Sequence, residues 1–303
     1  MAVGYSVGRE RWQAEADRLL DRMAGRFVRV ETRRRARGFL FGLLADLPQK
    51  NCWTIAEHAG DPDPHGMQHF LGRASWDTGG VRDDLRDYVT GHLGDGDAVL
   101  VVDETGDLKK GMCTVGVQRQ YTGTAGRIEN AQVAAYLTYA GARGHAMIDR
   151  KLYLPKSWTS DAERCATAGV PEDIEFMTKP ALAGGMLCRA LDADVPARWA
   201  AGDEVYGADP ALRAELESRR VGYVLAIGCD RRVPSAGRAA ARRRAHRRAA
   251  QAGLAAALRR TGCQGAALLR LGLDHPRPAR GHLPRRRRHG VLVAAGATPP
   301  AHR

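Results

Sequence analysis

Long apolar runs are missing from this 303-residue chain. No uninterrupted apolar stretch reaches roughly 18 residues, which excludes an ordinary membrane-spanning helix. Met1 to Trp12 also lacks the apolar segment of a signal peptide, so a cytoplasmic protein is expected. Cysteine is sparse and scattered: Cys52, Cys113, Cys165, Cys188, Cys229 and Cys263 form no C-x-x-C pair and have no matching His pair. A zinc site is therefore not expected, and the thiols read as reduced fillers. Acid is nearly absent from the end of the chain. Residues 231–303 hold Asp274 as their one acid, with no Glu and no Lys, and no Glu follows Glu217 anywhere.

What is present is a chain with 44% apolar residues, enough for one large domain or two modest ones. The net charge of +13 invites a nucleic-acid reading, but its distribution qualifies it. Residues 231–303 carry 18 of the 47 basic residues against that single acid, a balance of +17, and the rest of the chain nets −4. Basicity belongs to the tail.

Helical periodicity marks residues 9 to 47, with Trp12, Ala16, Leu19, Leu20 and Met23 on one stripe and Phe39, Leu40, Leu43, Leu44 and Leu47 on a second, ended by Pro48. Trp53 to Gly60, a Pro-containing turn at Asp61 to Pro64, and Met67 to Ala74 follow. This short helix, turn and short helix fits either a helix-turn-helix or a plain helical cap. Strands are expected at Ala98 to Asp103, Thr114 to Thr122, Gln132 to Ala140, Arg198 to Ala201 and Tyr223 to Ile227. A helix is expected at Asp209 to Ser218, and a helix-and-loop crossover through Ser157 to Leu191. The fold class is α/β, a mixed sheet with helices on its faces. Its expected division is a helical region over 1–93, a sheet-based core over 94–230 and a disordered Arg-rich tail over 231–303.

Two acids close short runs. Asp103 ends Ala98-Val99-Leu100-Val101-Val102, and Asp203 ends Arg198-Trp199-Ala200-Ala201-Gly202. A lone Asp after a strand is commonly a turn former or helix cap. Paired strand-end carboxylates, in contrast, supply the hard anionic oxygens that a divalent metal pair needs for phosphoryl transfer. Glu104 and Glu204 follow these acids, and alternation along an extended chain turns them to the opposite face, as second ranks or salt-bridge partners. Lys109, Lys110, Arg119 and Arg127 lie after the first acid, where they would serve as DNA-phosphate contacts or as an ordinary solvated edge. Gly207 suggests a tight turn, and Tyr206 packs or stacks.

The words around the acids carry more. Val101-Val102-Asp103-Glu104-Thr105-Gly106, Val115-Gly116-Val117-Gln118-Arg119-Gln120-Tyr121, Gly126-Arg127-Ile128-Glu129-Asn130, Asp149-Arg150-Lys151-Leu152-Tyr153-Leu154-Pro155-Lys156-Ser157-Trp158 and Gly202-Asp203-Glu204-Val205-Tyr206-Gly207 together resemble the DDE transposases of bacterial insertion sequences. The resemblance runs from about Arg33 to about Arg232. It implies an RNase-H-like core in which Asp103 is the first and Asp203 the second catalytic acid, on neighbouring parallel strands. Both would be ligands of Mg2+ (or Mn2+), one ion activating water or a DNA 3′-hydroxyl and the other steadying the leaving oxygen. It further implies DNA partners, namely terminal repeats and target DNA, with an N-terminal helical region binding the repeats, and a homo-oligomer during transposition.

The chain departs from that pattern at its end. The third acid of the family is a Glu on a helix beyond the second Asp, and Glu215 and Glu217 stand too close to Asp203 to take its place. A tail of Ala, Arg, Gly and Pro is what a GC-rich gene yields out of frame. Read one base later with permitted codons, Cys263 to His275 gives Ala-Lys-Gly-Gln-Arg-Tyr-Tyr-Asp-Trp-Ala-Trp-Ile-Thr, which resembles the family at this point. That reading places a frameshift between about Ile227 and Thr261 and requires CTA codons at Leu268 and Leu269. The expectation is a transposase with a degenerate core. The alternatives are a non-catalytic DNA-binding protein using its helices and a genuine basic arm, and a metal-dependent nuclease or phosphohydrolase.

Overall fold

Aromatic side chains clustered near the start of the chain, and alternating apolar strands after it, give two compact units that divide between Tyr88 and Val89. The computed structural model describes residues 8–228 and the strand 291–295. The remainder of the tail expected over 231–303 lies outside the described residues.

The first unit contains α1 (Arg9–Arg22), a 3-10 turn at Ala24–Arg26, α2 (Val30–Leu44), α3 (Cys52–His58), α4 (His65–Gly72) and most of α5 (Thr78–Leu93). Met23, Phe27 and Phe70 form its core with Leu19, Phe39, Trp76 and Leu85. Trp76 stacks on both Phe27 and Phe70, at centroid distances of 5.5 and 6.1 Å. A second cluster, Ile55, Ala56 and Met67, packs with Phe39 and Leu47 and fastens α3 and α4 to α2. Asp84, 9% exposed, is held by Arg26 through bonds of 2.7 and 2.9 Å, and that guanidinium keeps its carboxyl below the usual range. The stripes expected from periodicity are only partly buried. Trp12, Leu43 and Leu44 are exposed, and α2 ends at Leu44 because the backbone turns extended at Ala45, ahead of Pro48.

The α3–α4 turn follows from its sequence. The Asn51 side chain caps α3 in a capping box with Thr54. At the other end Gly60 takes φ +78°, so that its N–H reaches the Glu57 carbonyl while the Asp61 N–H reaches Ala56. This is the left-handed helix stop that glycine makes without strain.

The second unit is built on β1 (Val99–Leu108), β2 (Gln118–Thr122), β3 (Arg127–Gly141), β4 (Gly144–Leu152), β5 (Trp199–Gly202), β6 (Gly222–Gly228) and β7 (Val291–Ala295). Its helices are α6 (Lys156–Thr159), α7 (Ala162–Thr167), α8 (Lys179–Asp192), α9 (Glu204–Gly207) and α10 (Pro210–Ser218). The sheet order is β2-β3-β1-β5-β6-β7, with β4 also on β3. Within β4-β3-β1-β5-β6 only β3 runs antiparallel to its neighbours, since β1, β5 and β6 pair in parallel. This is the mixed, RNase-H-like sheet expected from the sequence. β4 is an addition to that expectation: its Asp149-Arg150-Lys151 run hides the strand pattern. Asp149 is nevertheless buried, bonded at 2.9 and 3.1 Å by Arg189 of α8.

Leu100 and Val102 of β1, Ala135, Leu137 and Tyr139 of β3, and Tyr223 and Leu225 of β6 recur every second residue on one face. α8 (Ala183, Met186, Leu187), α9 (Tyr206) and α10 (Leu212, Leu216) cover them in one core. Trp158, 1% exposed, locks the loop after β4 by donating its indole N–H to the Val117 carbonyl at 2.9 Å, with Arg164 stacked 3.8 Å over the ring. No helix among the described residues is long and apolar enough to cross a membrane.

Candidate active site

β1 and β5 lie side by side in parallel, with Val102 opposite Gly202. Asp103, midway along β1, and Asp203, just past the end of β5, are the next residues, so the register brings both acids to the C-terminal end of β5. Gly202 makes this approach possible, because a Cβ there would meet Val102 Cγ2 at 2.8 Å. Asp103 pairs across β1–β3 with Tyr136, and its Oδ1 accepts from the Glu104 N–H at 2.8 Å. Asp203 caps α9, its Oδ1 accepting from the Val205 N–H at 2.9 Å.

The acid pair is electrostatically strained. Burial, then the Glu104 charge, then that of Asp103 push the Asp203 carboxyl up to about 6, against the restraining backbone N–H of Val205. A site that resists carrying its own negative charges gains from a cation. Two adjacent hard carboxylates fit a divalent ion in donor type, and Asp103 and Asp203 are the residues that would hold it. Among the described residues no group of three or more His, Cys, Asp or Glu side chains is placed to hold a metal.

Glu104 lies on the Leu100–Val102 face, as alternation requires. Its Oε1 accepts from Lys179 Nζ at 2.9 Å and its Oε2 from the Tyr206 hydroxyl at 2.7 Å. Tyr206 is fully buried, and burial followed by the Glu104 charge drives its phenol far above the usual range. Lys179 escapes a reading of motifs. The signal for it is Thr178-Lys179-Pro180, in which the Thr178 hydroxyl caps α8 and Pro180 sits in the first turn. Gly207 is required for space rather than for a turn: a Cβ there would lie 1.9 Å from the Ala226 carbonyl oxygen.

Glu215 and Glu217 are engaged elsewhere. Glu215 pairs with Arg219 of its own helix and accepts from the Cys188 thiol, and Glu217 accepts from the Tyr223 hydroxyl. The basic residues Lys109, Lys110, Arg119 and Arg127 gather at the far end of β1, β2 and β3, where Leu108 lies opposite Ala131 and Arg119 opposite Asn130. That end stands about five residues, or roughly 17 Å, along β1 from Asp103. Arg127 pairs with Glu129 at 2.7 Å, and Lys109 lies 4.0 Å from Asp107.

The family model described as DDE superfamily endonuclease matches residues 22–267. The chain is 26% identical over 189 residues to the probable transposase for insertion sequence element IS701 of Microchaete diplosiphon. The alignment covers 61% of this chain and 46% of that protein, so the chain spans about half the length of this curated relative.

Proposed function

The chain belongs to the DDE superfamily endonucleases, and from that premise we propose that it is an insertion-sequence transposase whose catalytic core is degenerate. The observation that supports the reading is the parallel register of the central strands β1 and β5, in which Asp103 and Asp203 each follow the paired residues Val102 and Gly202. The chemistry supplied at such a centre when loaded with Mg2+ or Mn2+ is Lewis-acid activation of a scissile DNA phosphate and of the attacking water or 3′-hydroxyl. Asp103 and Asp203 hold the ion, and α9, capped by Asp203, fixes one of them. The degenerate reading is supported by the engagement of Glu215 and Glu217 within and beside α10, which keeps both from serving as a third acid.

DNA contacts divide between the two units. In the first, α4 exposes His65, Gln68 and His69, with Arg73 exposed just beyond its end, while it buries Met67 and Phe70. That is the division expected of a helix presented to a groove by a tight turn. In the second, Lys109, Lys110, Arg119 and Arg127 hold phosphates away from the acid pair. The protein works in the cytoplasm on element ends and target DNA, as a homo-oligomer.

Mn2+ titration of the full chain, followed by the loss of the free-ion paramagnetic signal, tests the site. Asp103→Ala and Asp203→Ala should each weaken binding at least about tenfold, the scale of one lost charged ligand. Unchanged affinity in both variants would refute it. Incubation with Mg2+ and supercoiled DNA carrying the sequences that flank the encoding gene tests the rest. Asp103-dependent nicking would show the core to be intact, and binding without nicking supports the degenerate reading. Sequencing the gene from the Gly222 codon onward then decides the tail. The shifted reading needs an A in the third position at both Leu268 and Leu269, as in CTA, and any other base there removes it in favour of a basic arm.

A further inference from the structure

We propose that Lys179 is a charge-setting residue: with Tyr206 it holds the Glu104 carboxylate out of the cation site, so that the Asp103–Asp203 pair acts as a two-carboxylate rather than a three-carboxylate site. The inference rests on the proposed metal role of the two aspartates. Glu104 is adjacent to Asp103 in the chain, and its charge acts on Asp203 more strongly than that of Asp103 does. A carboxylate that close is itself a candidate ligand unless something restrains it. Both of its oxygens are restrained. Lys179 Nζ binds one at 2.9 Å and the Tyr206 hydroxyl binds the other at 2.7 Å, while the Lys179 and Glu104 side chains are only 19% and 18% exposed.

The restraints come from rigid places. Lys179 is the first residue of α8, whose start is fixed by the Thr178 cap, and Tyr206 belongs to the helix that Asp203 caps. One carboxylate thus ties β1, α8 and α9 together around the acid pair. A tie of that kind made of apolar side chains would avoid the desolvation cost of a half-buried ion pair. What apolar side chains would not supply is charge. With Lys179 present, Asp103, Glu104, Asp203 and Lys179 sum to −2, which matches one divalent ion; without it the sum is −3.

The test is Mn2+ affinity of the full chain in five forms. A unit of charge gained at some 6 to 8 Å from a divalent ion is worth about 1 kcal/mol even in a water-like dielectric, so Lys179→Met should bind Mn2+ about fivefold to tenfold tighter than the parent. Lys179→Arg keeps the charge and should stay within about twofold. Glu104→Gln leaves Lys179 uncompensated and should bind about fivefold to tenfold weaker, and the double variant Glu104→Gln/Lys179→Met should return to within about twofold of the parent. A merely structural tie predicts weaker or unchanged binding in every variant and no recovery in the double one.

Unchanged or weaker binding by folded Lys179→Met, while Asp103→Ala still loses the ion, overturns the inference and leaves the proposed site standing. If the parent shows no Asp103-dependent binding, site and inference fall together. Should Lys179→Met not fold, the double variant decides: affinity within about twofold of the parent's beside a loss in Glu104→Gln supports the inference, and a loss that persists in the double variant overturns it.

Discussion

Asp203→Asn should raise the stability of the second unit at pH 7 by on the order of 2 kcal/mol, against the usual effect of changing a part-buried acid. The carboxyl is pushed from 3.8 to about 6 in the folded chain, chiefly by burial and then by Glu104. A raised acid binds its proton more tightly folded than unfolded. Below pH 3.8 both states are protonated and nothing is lost. As pH climbs from 3.8 to about 6 the unfolded state releases its proton first, so stability falls through that window, and the full cost is present at pH 7. Asn does not titrate and is as good a helix cap as Asp, so the Val205 N–H keeps its acceptor.

Urea unfolding of parent and variant at several pH values checks this prediction. Their difference isolates Asp203 from the carboxyls of Asp84, Asp95 and Glu215, which are held low by an arginine or by backbone N–H groups and lose their stabilising effect as pH falls. The gap should open between pH 4 and 6 in favour of Asn. It should narrow with millimolar Mg2+, which stabilises the parent by binding to it and leaves the variant unaffected. A gap that is flat with pH, or that favours Asp at pH 7, would remove the claim that this carboxylate is strained.

The sequence was readable where one short-range pattern decides the outcome. Apolar runs closed by Asp103 and Asp203 mark two strands, though β1 continues past Asp103 to Leu108 while β5 stops at Gly202, and their parallel adjacency came from the resemblance and not from spacing. Alternation along β1 was enough to start Glu104 on the face away from Asp103, though not to fix its carboxylate, which Lys179 and Tyr206 hold. Three things needed the third dimension. Lys179 lies 75 residues from Glu104, and no local pattern joins them. β4 was obscured because Asp149, a charge in a strand, is buried only by virtue of Arg189 on α8. Leu43 and Leu44 extend the helical stripe of α2 in sequence yet are exposed, since periodicity says which face a residue shares and not whether anything covers it. The boundary expected after residue 93 coincides with the end of α5 at Leu93, and the compact units divide within that helix, between Tyr88 and Val89.

Gly207→Ala, a change that favours most helices by about 1 kcal/mol, should here cost about 3 kcal/mol or prevent folding of the second unit. The new Cβ would lie 1.9 Å from the Ala226 carbonyl oxygen, 2.8 Å from its carbon and 3.1 Å from Leu225 Cβ. The obstacle is backbone, so no side-chain rotation relieves it. Nor is β6 able to retreat, because Leu225 is paired with Gly202 on one side and Ala226 with Val293 on the other. The strain must lift α9, and α9 begins at Asp203 and carries Tyr206, so the same shift should loosen the Tyr206–Glu104 bond and weaken Asp103-dependent Mn2+ binding. Gly184→Ala is the control. It also lies in a helix, but its Cβ would meet only Leu212 Cδ1 at 3.7 Å, an ordinary contact, so the helix preference should prevail and stability should hold or rise by about 0.5 to 1 kcal/mol. Thermal unfolding of both variants beside the parent separates the causes. A Gly207→Ala chain as stable as Gly184→Ala would mean that α9 does not press on β6 and that the support of Asp203 lies elsewhere.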